Sequence, residues 1–237
     1  MNFINSLHNP LVKHFVKLAS SAKYRFACNK TLLFGAKIIS QLSSRVKIDN
    51  YLFIDTPLPS VLRATRVTSE IIKKITGQPE PVDGIAEIFL PQNQDLKKTE
   101  RLIVLDRIQD PGNVGTILRT AEGLGFNGAH LLDGCADPFH PKTVSASKGS
   151  VFTLPLSQGP LDLIGDLHQW YATDMVGDPL STIKFEKPYA LFFGNEGSGI
   201  SPEIRLRSKL VAIPLHNQVE SLNVAAVAAI CCYWGER

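Results

Sequence analysis

Leu11, Phe15, Leu18 and Ala22 fall at i, i+4, i+7 and i+11, the apolar stripe of a helix. Asn9-Pro10 marks its start, with Asn as the cap and Pro at the first helical position. Lys13 and Lys17 share a face off that stripe. Thr31 to Phe34 is a short apolar run, followed by Gly35 and a helix through Leu42. Tyr51 to Ile54 reads as a strand. Ser69 caps a short helix with Ile71, Ile72 and Ile75 inward, and Gly77 ends it. Gly84 to Leu90 is another strand. Residues 91–100 are polar and lack an apolar period. That places a boundary between a domain at 1–90, a linker at 91–100 and a second domain at 101–237.

The second half alternates strand and helix more openly. Leu102 to Leu105 is a buried-strand run, followed by the turn Asp110-Pro111-Gly112 and a helix from about Asn113 to Leu124. Ala129 to Leu132, Val151 to Leu156, Trp170 to Thr173, Tyr189 to Phe193 and Leu210 to Leu215 read as strands. Ser201-Pro202-Glu203 opens a short helix, and a last helix runs from Ser221 onward. Repeated strand-then-helix units predict an α/β fold with a mainly parallel sheet covered by helices. Ligands of such sheets sit beyond the carboxyl ends of the strands, which singles out the loops after residues 105, 193 and 215. Gly123-Leu-Gly125-Phe-Asn-Gly128 has the spelling of a dinucleotide fingerprint. It closes a helix and leads into a strand, the reverse of the required context, so it is read as a helix end and turn.

Charge adds a direction. The 237-residue chain has a net charge of +3. Residues 1–50 hold eight Lys/Arg against one acid, residues 51–100 six against seven, and residues 101–237 eleven against fourteen. A basic end fits a nucleic acid or another anionic partner, with a solvated basic face as the alternative. A hydrophobic fraction of 44% with 20% charged residues excludes disordered, collagenous and disulfide-scaffold classes. Cys28, Cys135, Cys231 and Cys232 have no metal-ligand spacing, and the adjacent last pair fits a reducing compartment. Lys13 and Lys17 interrupt the early apolar runs, and Leu222 to Trp234 is too short to span a bilayer. A cytoplasmic protein without membrane contact and without a metal is expected.

Each of the three loops carries candidate chemistry. In residues 105–126, the Asp110 turn presents Asn113 at a helix N-terminus, where free amides can meet an anion. Arg119 follows in that helix, with an i,i+3 pair to Glu122 as the plainer role. In residues 191–201, three glycines around Asn195-Glu196 allow close backbone approach, and a carboxylate amid amides would bind hydroxyl or amino groups. In residues 213–234, Ser221 and Asn223 fall in the first turn of a helix that is apolar almost all round, and so must be buried in the core or against another subunit.

Together, Asp110-Pro-Gly-Asn-Val-Gly-Thr-Ile-Leu-Arg119, Phe193-Gly-Asn-Glu-Gly-Ser-Gly199, and Ile213-Pro-Leu with Glu220-Ser-Leu-Asn223 resemble the three motifs of the SpoU/TrmH family. These are S-adenosylmethionine-dependent RNA ribose 2′-O-methyltransferases of the SPOUT superfamily. The resemblance implies a C-terminal SPOUT fold with a trefoil knot, which connectivity rules alone would not propose. It also implies a homodimer and, around Asn9-Pro-Leu-Val-Lys13, an L30e-like substrate-binding domain. By the family pattern, Gly194, Ile213 and Leu222 line the methyl-donor pocket. Asn113, Arg119, Glu196, Ser221 and Asn223 match positions assigned to RNA binding and catalysis. Two positions depart from the pattern: Ser145 stands where many relatives have Arg, and Phe34 where many have Glu.

The implied reaction is methylation of a ribose 2′-hydroxyl in structured RNA, with rRNA favoured over tRNA. The alternatives are a silent RNA-binding relative and, against the glycine context, a nucleotide-dependent oxidoreductase. Arg119 is the residue the pattern assigns to the hydroxyl. A guanidinium is a poor base, so its expected role is to stabilise the developing alkoxide.

Overall fold

The structure is a computed structural model of the chain that describes residues 2–59, 61, 63–165, 168–216 and 220–235. The first half comprises β1 (Asn2–Ile4), α1 (Pro10–Ser20), α2 (Ala22–Cys28), β2 (Lys30–Phe34), α3 (Ala36–Leu42), β3 (Ile48–Phe53), β4 (Ala64–Val67), α4 (Ser69–Thr76) and β5 (Gly84–Phe89). Its strands form a mixed sheet in the order β1-β4-β3-β5-β2. The second half comprises β6 (Arg101–Asp106), α5 (Pro111–Gly123), β7 (Gly128–Leu131), α6 (Pro141–Ser147), α7 (Ser150–Thr153), β8 (Leu156–Gln158), β9 (Gln169–Pro179), β10 (Tyr189–Gly194), α8 (Pro202–Arg207), β11 (Lys209–Ala212) and α9 (Val224–Trp234). Its six strands run β11-β9-β10-β6-β7-β8, and every pairing is parallel.

An all-parallel sheet needs cover on both faces. Alternate residues supply it here: Ile103, Leu105, Leu191 and Phe193 face one core, and Leu102, Val104, Ala190 and Phe192 the other. On the first face lie α5 and α9, through Val114, Ile117, Leu118, Ala121, Val224 and Ala228. That core continues into the first half through Leu33, Tyr51, Phe53, Ala86 and Ile88. The opposite face of the first sheet, with Leu32, Leu52 and Ile85, is covered by Val12, Phe15 and Leu18 of α1 and Ile71, Ile72 and Ile75 of α4. The two sheets are therefore bound by a shared interior. Residues 91–100 form neither helix nor strand, but Leu96 is buried and the Gln94 amide donates to the Leu156 carbonyl at 3.0 Å.

Polar ties cross the same boundary. Arg25, 1% exposed, donates from Nε and Nη2 to Asp137 Oδ2 at 3.0 and 2.6 Å, and from Nη1 to the Leu18 carbonyl. The Thr31 hydroxyl donates to the Phe139 carbonyl at 2.6 Å. Close approach of α5 to α6 depends on Gly115, where a Cβ would lie 2.4 Å from the Thr143 carbonyl oxygen.

Several sequence expectations change. The first stripe ends before Ala22, because Ser21 closes α1 and caps α2 through the Tyr24 amide; Val12 takes the inward position instead. Thr68, not Ser69, caps α4. Asp110, not Asn113, caps α5, so that helix starts two residues earlier. Residues 150–153 are helical rather than extended: Gly149, at φ +99, turns the chain, and strand begins only after Pro155. β9 runs well beyond Thr173, and β11 stops at Ala212 before Pro214. The last helix begins at Val224 because Asn223 caps it, leaving Ser221 and Leu222 outside it.

Removing one member of a buried ion pair strands the other in low dielectric. Arg25→Ala is therefore expected to lower the unfolding free energy by roughly 3 kcal/mol, read from urea titrations. A loss below about 1 kcal/mol, the size of a surface pair, would show that the two halves do not depend on this tie.

Candidate active site

The site grows from two adjacent strand ends. In the central pairing Gly194 of β10 lies opposite Asp106 of β6, so both chains leave the sheet at one level. Asp106 is buried, and Arg107 Nε donates to its Oδ1 at 2.7 Å while the Ser201 amide donates to its Oδ2 at 2.6 Å. Arg107 also donates from Nη2 to the Gly199 carbonyl at 3.1 Å. Asn195 completes the frame: its Nδ2 donates to the Arg107 carbonyl, and its Oδ1 accepts the Gly197 and Ser198 amides. Gly194 is required here, since a Cβ would sit 2.4 Å from the carbonyl carbon of Gly199. The amides expected around Glu196 are thus taken by Asn195.

Glu196 instead meets the first loop. Asn113 Nδ2 donates to Glu196 Oε1 at 2.8 Å, and Asn223 Nδ2 donates to Asn113 Oδ1 at 3.1 Å. Asn223 Oδ1 accepts the Ala225 amide, so the residue that caps α9 also closes this chain of side chains. Asn113 is fixed in turn by Asp110, whose Oδ1 accepts its amide at 2.9 Å. Lys142 on α6 pairs with Asp110 Oδ2 at 2.8 Å. That contact, reinforced by the Asn113 amide, holds the Asp110 carboxyl below its ordinary pKa. Three loops that span 110 residues of the chain, from Asn113 to Asn223, converge on one polar cluster.

Beside it opens a cavity of about 540 Å³. Gly194, Ile213 and Leu222 line it, together with Glu196, Ser221 and Asn223. Seven of the eight sequence-predicted site residues are thereby in or next to one place. Arg119 is the exception. It lies on an exposed face of α5, outside the cavity lining and without a hydrogen bond or ion pair among the described residues. The alternative pair with Glu122 is not formed either. Sequence reasoning missed Asp106, Arg107, and the Arg205–Asp174 ion pair on the cavity wall. A charge ending the run Leu-Ile-Val-Leu-Asp106 was the available signal for the first.

A parallel sheet whose central strands end in a polar cluster and a mid-sized cavity is the arrangement of an α/β ligand-binding enzyme. The chain belongs to the SpoU rRNA methylase family, whose model matches residues 100–233. It is 30% identical to a 23S rRNA (guanosine(2553)-2′-O)-methyltransferase from Bacillus subtilis, over 98% of each chain. It is 32% identical to an uncharacterized tRNA/rRNA methyltransferase from Synechocystis, over 99% of this chain and 93% of the relative. A crystal structure of an AdoMet-bound rRNA methyltransferase from Sinorhizobium meliloti superposes with a TM-score of 0.88 at 28% identity, covering 99% of this chain and 97% of that one.

The Asp106 frame makes a local prediction. Asp106→Ala removes the acceptor of the Ser201 amide and releases Arg107. Losing a charge-assisted hydrogen bond, about 1.5–3 kcal/mol, should speed amide exchange at Ser201 by about tenfold or more while β6 and β10 centres stay protected. Unchanged exchange at Ser201 would show that the loop holds its shape without Asp106.

Proposed function

We propose that this protein transfers a methyl group from S-adenosylmethionine to a ribose 2′-hydroxyl of ribosomal RNA. The observation that carries the reading is the hydrogen-bonded convergence of Asn113, Glu196 and Asn223 at the rim of the 540 Å³ cavity. Support for rRNA comes from the Bacillus and Sinorhizobium relatives. The cavity fits the donor. Its size is in the range of small-molecule sites, Gly194 leaves backbone bare where a side chain could not fit, and Ile213, Leu222 and Val227 give apolar wall beside polar Glu196 and Ser221. When bound, S-adenosylmethionine supplies a methyl group on a positively charged sulfur, an electrophile that needs no further activation.

The chain's task is then to present the ribose. Gly194, Ile213 and Leu222 hold the donor. Asn113, cross-braced by Asn223, keeps the Glu196 carboxylate at a fixed place, where it accepts a hydrogen bond from a hydroxyl or amino group of either substrate. Ser221 offers a second hydroxyl contact. Positioning of this kind supplies several kcal/mol of a barrier by itself. Arg119, exposed and uncommitted, faces the RNA and stabilises the 2′-alkoxide as its proton passes to solvent water. A guanidinium stays charged at every accessible pH, which suits this role and not that of a base.

The rest of the sequence reading belongs to the same proposal. Residues 1–90 act as an L30e-like RNA-gripping domain, joined by 91–100 to a catalytic domain at 101–237; the basic first fifty residues and the separate sheet support this. The second unit carries the trefoil knot of its superfamily. The return of the chain from edge strand β11 to pack α9 against α5 supports that path. The protein acts as a homodimer in the cytoplasm: Ala226, Ile230 and Tyr233 form an exposed stripe at i, i+4 and i+7 on an otherwise apolar, buried α9. Among the described residues no helix is long and apolar enough to cross a membrane.

The decisive experiment is labelled-methyl transfer onto total unmodified RNA, with mapping of the alkali-resistant linkage. Label in rRNA is the expected result; label in tRNA would move the substrate, and no label would reduce the protein to an RNA binder. Arg119→Ala should leave donor affinity unchanged and cut single-turnover transfer about a hundredfold, the scale of one lost transition-state contact. Near-normal transfer by that variant would take Arg119 out of the mechanism. Ile230→Asp should convert a dimer into monomer or aggregate in sedimentation, and a wild-type chain sedimenting as a monomer would overturn the assembly.

A further inference from the structure

A second cavity, of about 630 Å³, lies between the two halves of the molecule. The end of α4 gives Lys74 to one wall, α6 and its C-cap give Ser145 and Lys148 to the other, and Gly112 lies at its edge together with His140 and Lys142. Among the described residues no carboxylate belongs to the lining. Lys142 is committed to Asp110, but Lys74 and Lys148 are exposed and have no ion-pair partner among the described residues. His140 caps α6, accepting the Lys142 amide at Nδ1, so its Nε2 carries the hydrogen and is a donor. Every polar side chain that is free here can donate, and the two unpaired charges are both positive.

The walls are not free to drift apart. The Arg25–Asp137 pair and the Thr31–Phe139 bond join the halves just ahead of α6. The cavity also abuts the active site along the chain: Gly112 lines it and Asn113, next in sequence, anchors Glu196. A preformed cleft with two unpaired lysines, whose edge at Gly112 is one residue from Asn113, suits a polyanion whose next unit must enter the neighbouring site.

We propose that this cleft seats the phosphodiester backbone of the substrate RNA beside the target nucleotide, with Lys74 and Lys148 on the phosphates and His140 and Ser145 donating to them. The assignment rests on the methyltransferase reading and deepens it. It explains how the basic first half and the catalytic cluster address one strand, since the cleft has a wall from each.

The test uses the full chain, with Lys74→Glu and Lys148→Glu singly and together, and a control with Lys73→Glu and Lys184→Glu, which change charge equally at exposed sites outside the cleft. The probe is an unmodified rRNA fragment that the wild type binds, titrated at several salt concentrations. The double variant should lose at least tenfold in RNA affinity. Its log–log salt slope should flatten by roughly 1.4–1.8, as expected for two lost phosphate contacts. S-adenosylmethionine affinity and melting temperature should stay at wild-type values. An unchanged affinity and slope, or an equal loss in the control, would overturn the cleft while leaving methyl transfer standing. If the wild type binds RNA but transfers no methyl, the methyltransferase reading fails, and the same titrations still decide the cleft.

Discussion

A carboxylate buried at the end of a strand governs the shape of the candidate active site. Asp106 closes β6 inside the protein, where an unpaired charge would be far too costly to keep. Its two oxygens are satisfied by Arg107 and by the amide of Ser201. The first contact comes with a non-glycine residue at φ +58, and the second pins the start of α8. Strain at Arg107 persists because surrounding bonds over-determine it. Its guanidinium reaches the Gly199 carbonyl and its own carbonyl receives Asn195. The glycine-rich loop therefore takes its form from the neighbouring strand as well as from its own Gly194 and Asn195. Within the loop held this way, Glu196 meets Asn113.

The same dependence of local shape on distant partners recurs one layer out. α5 carries Asn113 and must lie close against α6, which Gly115 permits. α6 returns Lys142 to the Asp110 cap, fixing the turn that presents Asn113. α6 is itself reached through the loop that holds Asp137 and Phe139, and both are bonded to the first half. Packing runs without a break from the first sheet to the Asn113–Glu196–Asn223 cluster. The first half does more than add a basic surface: it sets the position of a helix on which the site depends.

What was legible in the sequence was local. Asn9-Pro10, the buried run of β6 and the glycines after α5 each announce an element through their own chemistry, and each element is present. The motif resemblance gathered residues that do meet, since Asn113, Glu196 and Asn223 bond directly. Elements decided by packing were misread. Val151 and Phe152 look extended, yet Gly149 turns them into a short helix that fills space beside α5 and α6. Ser221 is as good a cap by type as Asn223, so the sequence alone allows an earlier start for α9; Asn223 caps it in the structure, where it also bonds to Asn113. Asp106 could be seen as an oddity but not as a hub, because its partner Ser201 is 95 residues away. No spacing rule reaches that far.

The cations sort into two groups, and the division bears on function. Arg25, Lys30, Arg107, Lys142 and Arg205 each have a carboxylate partner. They have exchanged part of their hydration for fixed geometry, so they shape the protein and have less charge to offer a ligand. Arg119, Lys74 and Lys148 lack such partners among the described residues and remain exposed. An exposed pair would add at most about 1 kcal/mol to stability, so leaving these three unpaired costs the fold little. Their full charge remains available to phosphate, where each neutralised contact releases a counterion and strengthens binding in a salt-dependent way. Arg119 can in addition offer a planar fork to two oxygens at once, which a lysine cannot. A fold that commits some cations to ion pairs and leaves these three open can offer charge to a polyanion without breaking the pairs that shape its candidate site.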